Sequence, residues 1–515
     1  MDKIHQPLLA LLLLGLTAIS FNLQAADEFE LIIESDSDEL LIEEGLLIDG
    51  ELSVNEELSI SDELSVTDEF ILDGLETQEA LYQQPVDAAN SHPQYRPTPT
   101  NSIRASVDRI RFEYGRFESK SAADYQLYGH TRGKLNWQQG RWEMQAGARL
   151  DAYREHPDDA SSTEMSAPNF ALTKNNGNWR DVKLDYDDVF VRYRGEQGVF
   201  TVGTQKIIWG RIDEVPPTDR LSTHDLRRGM QDDLEDRRLA SAAIRYEYFI
   251  GGGKVDAFYL PRLRAAELPD KNSVWYPINQ RQGTILGLET TPLIESVVRT
   301  VAIDDDDPNT EGGFGLRFNQ LGDGFDYAFA VQHGVGSLPY FSYNFDRNLV
   351  EVKYLRSTTL SGDIGMEALG GTLKLEAAWN SDTPITRADG RFDTTESVAW
   401  GVALELFPGD GDTRLNLQLV GNYLLNAPEV LDRDKMASVN GSLEWPFANN
   451  NWRARLRFNV GLDMTDLYFN PELTYTGFNN HEIYVELHEY SGDTGSIGGF
   501  YEDSSSINLG WRITL

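Results

Sequence analysis

From about residue 100 onward the chain alternates apolar and polar residues along segments too long for an ordinary sheet. Ala240, Ala242, Ile244, Tyr246, Tyr248 and Ile250 keep strict period two opposite Ser241, Arg245 and Glu247. Gly251-Gly-Gly253 then turns the chain into Val255, Ala257 and Tyr259. Successive side chains of a strand point to opposite faces, so each segment presents one apolar and one polar face. Further tight turns read at Gln138-Gln-Gly140, Arg194–Gly198, Leu321–Gly324, Leu369–Gly371, Pro408–Gly411, Ala448–Asn450 and Phe478–Asn480. Long connections lie between them, at about 155–180, 211–237, 262–311, 334–348, 381–395, 425–435 and 491–504. Two-faced strands joined alternately by tight turns and long loops predict an all-β, transmembrane antiparallel β-barrel. Eight tight turns plus the first and last strands give about 18 strands, with 16 as the alternative. Leu349–Leu369 reads as a single long strand, with two strands as the alternative. An even count leaves both termini on the periplasmic side.

The stretch around Asp181–Pro261 fixes more detail. Val182, Leu184 and Tyr186 alternate, the phase slips across Asp187-Asp188, and alternation resumes at Val189, Val191 and Tyr193. Such a slip predicts a bulge. Phe200, Val202 and Thr204 begin a return strand running into Ile207-Ile-Trp-Gly210. This region carries a resemblance. Leu184-Asp-Tyr, Tyr193-Arg-Gly and Gly203-Thr-Gln-Lys-Ile-Ile-Trp-Gly-Arg211, followed by Asp225-Leu-Arg and Asp232-Asp-Leu-Glu-Asp-Arg237, resemble a large group of proteobacterial outer-membrane barrels classed as a domain of unknown function. The stretch from Gly477 to Leu515 is similar to the end of that family, with alginate-export porins as more distant relatives. The resemblance implies an outer-membrane location and a barrel, and implies no reaction.

The segments before the barrel differ in composition. Met1–Ala26 has Lys3, an apolar core from Leu8 to Ile19 and the small-residue site Gln24-Ala-Ala26, the pattern of a secretory signal. Residues 27–84 follow. The stretch Asp27–Glu79 holds 20 acidic residues, and no Lys or Arg occurs between Lys3 and Arg96. Leu40, Leu46, Leu52, Leu58, Leu64 and Phe70 are six apart, and so are Ile42, Ile48, Val54, Ile60, Val66 and Leu72. Two readings stand: a small β-helix, or a disordered acidic segment, since stacked rungs would align Glu51, Glu57, Glu63 and Glu69. Residues 85–101 form a proline-containing linker and 102–515 the barrel.

Composition removes several classes of function. A formal net charge of −38 argues against nucleic acid as a partner. The absence of cysteine fits export and rules out a lipid-anchored cysteine. No cofactor, metal site or catalytic set is predicted, so the reading is not an enzyme. His481 and His488 are seven apart on one strand and face opposite sides, so they do not share an ion. Asp304–Asp307 reads as a solvated charge run or as a divalent-mediated contact with lipopolysaccharide.

Two sets of residues stand out as candidates for function. Lipid must meet the apolar face of Trp452–Leu462, which turns Arg453, Arg455 and Arg457 inward. The same logic turns Arg109, Arg111, Arg132, Lys134, Arg149 and Arg512 inward. Closure gathers these into one sector, where they outnumber Glu113, Glu143, Asp151, Glu444 and Glu486. That sector is either a salt-bridge ladder or a track for anionic solutes. The second set lies on the loop 211–237, with Trp209 just before it: Arg211, Asp213, Asp225, Arg227, Asp232, Asp233, Asp236 and Arg237. This loop either folds inward as a constriction or lies outside as an ion-paired surface loop. The expected function is an outer-membrane channel moving small or amphiphilic molecules, anionic ones included, with an envelope lipid or polymer transport system. The alternative is a plugged structural or surface-binding barrel. Expected partners are outer-membrane lipids and lipopolysaccharide, the barrel-assembly machinery, and a periplasmic transport partner reached through residues 27–84.

Overall fold

The structure is a computed structural model, and it describes Leu31–Ile33 and residues 101–156, 178–179, 182–304, 308–409, 411–427 and 429–515. The signal, the linker up to residue 100 and, apart from Leu31–Ile33, the acidic repeat lie outside the described residues. So do Asp305–Asp307 of the acidic run.

Eighteen antiparallel strands close on themselves among the described residues. The first four are β1 (Ile110–Phe117), β2 (Tyr125–Gln139), β3 (Trp142–His156) and β4 (Val182–Arg194). Next come β5 (Gly198–Gln205), β6 (Ser241–Ile250), β7 (Gly253–Leu260), β8 (Gly313–Leu321) and β9 (Phe325–Val335). Then follow β10 (Arg356–Ala368), β11 (Gly371–Thr386), β12 (Phe392–Leu406), β13 (Arg414–Leu424) and β14 (Lys435–Phe447). The last are β15 (Trp452–Gly461), β16 (Asp466–Phe478), β17 (His481–Gly492) and β18 (Ser506–Ile513). Each pairs with the next, and β18 closes the ring on β1, from Ser506 opposite Phe117 to Ile513 opposite Ile110. Asn101–Val107 continues the first strand beyond a break at Asp108-Arg109 and pairs with β2. Leu31–Ile33 runs parallel to that continuation. Closure leaves the ring without a free edge, which a sheet in hydrocarbon requires.

The tight turns fall where the sequence puts them. Leu369 and Gly370 have φ of 56° and 80°, the pair of left-handed residues that a two-residue hairpin needs. Ala448, Asn449 and Asn450 are also left-handed, at 54°, 57° and 60°. The predicted bulge is present: Ala146 faces Val189 and Ala148 faces Tyr186, so Gly147 alone opposes Asp187-Asp188. A Cβ on Gly147 would lie 2.8 Å from the Asp188 carbonyl oxygen, so the bulge demands glycine there.

Two strand readings and one long-connection reading are settled differently by the structure. Leu349–Leu369 is two strands. Leu349–Lys353 pairs with Tyr340–Asn344 and with Ala302–Asp304 in a small separate sheet, and only Arg356–Ala368 belongs to the barrel. Continuous alternation hides this break, because both pieces are two-faced. The connection read at 381–395 is mostly strand: β11 and β12 pair out to Thr386 and Phe392 after a register shift between Asn380 and Thr383. The return strand ends at Gln205, and Ile207–Gly210 leaves the wall.

The polarity of the ring is inverted relative to a soluble protein. Val189, Val191, Phe200, Val202, Ile244, Tyr246, Leu473, Val485 and Leu509 face outward and are exposed. Inward-facing Gln126, Asp151, Asp185, Asp256, Asn470, Glu486 and Asn508 are all at most 1 % exposed. The two histidines divide as expected: His488 is buried inside, whereas His481 stacks outside on Trp511. The long-connection end carries apolar packing of its own. Tyr276, Ile278, Leu288 and Val298 of the 261–312 connection form a cluster with Phe341 and Val350.

Candidate functional site: a loop across the lumen

The chain leaves the wall after Gln205 and turns inside the barrel. Trp209 is buried against Phe258, with ring centroids 4.8 Å apart, and its Nε1–H donates to Asp256 Oδ2 at 3.0 Å. Gly210 has φ 132°, and a Cβ there would sit 2.8 Å from Thr218 Oγ1 and 3.1 Å from Glu376 Oε1. The turn therefore requires glycine. Glu376, an inward residue of β11, then captures the chain. Its carboxylate accepts from the backbone N–H of Arg211, from that of Ile212 at 2.7 Å, and from the Thr218 hydroxyl at 2.8 Å. Arg211 reaches Asp363 of β10 at 2.5 Å, and Asp213 accepts from Asn416 of β13 at 2.8 Å.

The second half of the loop binds the far wall. Asp225 pairs with Arg149 of β3 at 3.2 Å and with Arg227 at 2.6 Å, while Arg227 also reaches Asp151 at 2.8 Å. Arg228 pairs with Glu113 of β1 and lies 3.9 Å over the Tyr128 ring. Gln231 accepts from Gln126 of β2 at 2.8 Å and donates to Ser506 of β18 at 3.1 Å. Asp232 takes Arg111 at 3.1 Å, Asp233 takes Arg455 at 2.9 Å and Arg457 at 2.8 Å, and Asp236 takes Arg132 at 3.3 Å. β2 and β11 stand nine places apart in a ring of 18, on opposite sides. One loop thus holds both walls and crosses the lumen.

The sequence candidates therefore form one constellation. Seven of the nine basic wall residues have their partners identified here, several on the loop itself. Arg453 pairs with Glu482 at 3.0 Å, and Arg512 holds Glu472 through two bonds of 2.8 and 2.9 Å. Lys134 is half-buried on the inward face. Arg109 sits in the break before β1 and is exposed, and its charge acts on Asp233 and Asp236 of the loop. Among the described loop residues, Arg237 is the candidate whose guanidinium has no hydrogen bond or ion pair. Burial lowers its pKa, and Glu214 is the compensating charge with the largest effect. For Asp225, burial opposes ionisation, but Arg227 and Arg149 outweigh it and hold the carboxyl well below its usual range. Burial likewise opposes ionisation of Asp233, and Arg455 and Arg457 prevail. His224 is pushed down to about 4, first by burial and then by Arg237 and Arg238, against Asp219.

Sequence reasoning did not single out Glu376, Asp363, Asp256 or Glu472, the wall carboxylates that hold the loop and its arginines. Their signal was available: each lies at an inward position in the strand alternation. Among the described residues, no group of three His, Cys, Asp or Glu side chains is placed to hold a metal ion.

No protein-family model matches the chain. No curated protein matches it either. Solved structures of similar extent include OmpF of Salmonella typhi in complex with daunomycin, 11% identical, covering 81% of this chain and 98% of that one, with a TM-score of 0.40. OccAB1 of Acinetobacter baumannii is 10% identical over 83% of this chain and 99% of its own, with a TM-score of 0.46. The outer membrane channel DcaP of Acinetobacter baumannii is 9% identical over 82% and 99%, with a TM-score of 0.37. Likeness at this level says nothing of family or solute, and the barrel rests on its own strand pairing and closure.

Proposed function

We propose that the protein is an outer-membrane channel for small solutes, narrowed by the loop 206–240. The observation that carries this is the inverted polarity of a closed ring. Its apolar belt suits lipid, and its polar interior has no use in a protein that excludes water. A ring of 18 strands encloses an aqueous lumen unless something fills it. The resemblance around Gln205–Arg237 supports kinship with the proteobacterial barrels of unknown function. The acidic segment 27–84 is the natural docking element for a periplasmic partner in this reading.

A second reading has its own support. Inward residues are buried on opposite sides of the ring, as at Glu376 and Gln126, and the loop is held by many ion pairs. A plugged barrel with a structural or surface-binding role would look the same. Planar-bilayer recording from the purified chain separates the two. Stepwise ion conductance supports the channel, and a folded barrel that never conducts supports the plug.

A further inference from the structure

The outward face is apolar over most of its height, but one sector beside the long connections is not. There Phe314 of β8 pairs with His333 of β9, and His333 pairs with Thr358 of β10. His333 Nδ1 lies 2.9 Å from Thr358 Oγ1, and its Nε2 has no partner among the described residues. One row nearer the midplane stand Leu316, Val331 and Leu360, with Leu316 and Leu360 exposed. One row nearer the rim stands Arg356, about 7 Å along β10 from Thr358.

The Arg356 guanidinium donates to the Glu311 carbonyl oxygen at 3.3 Å and makes no ion pair among the described residues. The guanidinium of Arg262, on the 261–312 connection, makes neither a hydrogen bond nor an ion pair among them. Both arginines are exposed, and they line one open recess of about 420 Å³ with Asn309, Thr310 and Glu311. Leu263 N–H donates to the Thr310 carbonyl oxygen at 2.9 Å and Gly312 N–H to that of Leu260 at 3.1 Å. These bonds pin the two ends of the connection side by side. Two guanidiniums against the single Glu311 carboxylate leave the recess with a net positive charge.

Charge on the lipid-facing side is costly at the midplane and nearly free at the interface, so the arginines mark the headgroup level. A guanidinium binds phosphate through two parallel bonds. From the rim toward the midplane the sector offers cations, then hydrogen-bonding groups, then apolar side chains. A phosphate-bearing lipid carries its own groups in the same order. A soluble anion would gain nothing from Leu316 or Leu360.

We propose that this outward face of β8–β10 binds a phosphate-bearing lipid of the outer leaflet. Arg262 and Arg356 take the phosphate, His333 and Thr358 the polar groups beneath it, and Leu316, Val331 and Leu360 the chains. The site lies outside the lumen and holds whether the barrel conducts or is plugged.

The test is native mass spectrometry of the full chain in detergent. It is titrated with lipid A carrying its phosphates and with the same lipid after phosphate removal, and inorganic phosphate serves as competitor. The phosphorylated lipid should bind about tenfold more tightly than the dephosphorylated one, the weight of one charged hydrogen bond. Arg262→Gln with Arg356→Gln should remove most of that preference and leave binding of the dephosphorylated lipid unchanged. Leu316→Ser with Leu360→Ser should weaken both lipids alike. Arg262→Gln alone takes no bond from the protein, so it carries the test should the pair not fold, and it should lower the preference in the same direction. Equal affinity for the two lipids in the native chain, or a preference that survives the arginine substitutions undiminished, overturns the proposal. Displacement of the lipid by an equal concentration of inorganic phosphate also overturns it, since the recess would then serve a soluble anion.

Discussion

At the scale of single residues, the loop's attachment is electrostatic and therefore sensitive to acid. Asp225 has a depressed pKa when docked, so its contribution is complete above the ordinary carboxylate range and is lost only as pH falls through the depressed value. His224 acts over a different window. Docked, it resists protonation down to about 4, whereas a freed histidine takes a proton near 6.5. Undocking therefore binds a proton as pH falls from about 6.5 toward 4, and docking weakens across that interval. Conductance should rise as pH is lowered through this range, and His224→Gln should confine the rise to below about pH 4. A profile unchanged by His224→Gln would place that histidine outside the loop's equilibrium. A second residue test concerns Glu376, where one carboxylate takes four donors. Glu376→Leu leaves those donors unpaired, and protease sensitivity of residues 211–218 should increase. Unchanged protection would mean that Trp209 and Arg211 suffice to hold this end.

The elements were the most legible part of the sequence. Strand alternation, turn glycines and asparagines, and the bulge at Asp187-Asp188 follow from backbone geometry, and local sequence encodes them. Tertiary choices were less so. Nothing local distinguishes Leu349–Lys353, which pairs in the small sheet, from Arg356–Ala368, which pairs in the wall. The loop's candidates could be listed from their charges, but their partners lie far away, as with Asp233 and Arg455, and only the closed ring brings them together. The turns offer a stability test. Leu369 is left-handed at φ 56° and 79 % exposed, so it gains nothing from burial in the protein and bears the cost of its Cβ. Leu369→Gly should raise unfolding free energy by about 0.5–1 kcal/mol in detergent, read from a denaturant midpoint. A lower midpoint would show that the leucine is stabilised by surrounding lipid or detergent.

For the whole molecule, the account depends on one arrangement: a ring held open by its polar interior and narrowed by a strap tied to both sides. Glu376 holds one end of the strap and Arg111, Arg455 and Arg457 the other. Removing residues 216–230 takes away Thr218, Asp225, Arg227 and Arg228 and leaves Arg211 and Asp232–Asp236 with too little chain between them to reach across, so the strap must release one wall. The direct measurement is single-channel conductance of the native chain beside this deletion, each first shown to be a folded barrel. The account predicts small, stepwise conductance for the native chain and conductance several-fold larger for the deletion. Equal conductance in the two, or silence in both, would contradict it.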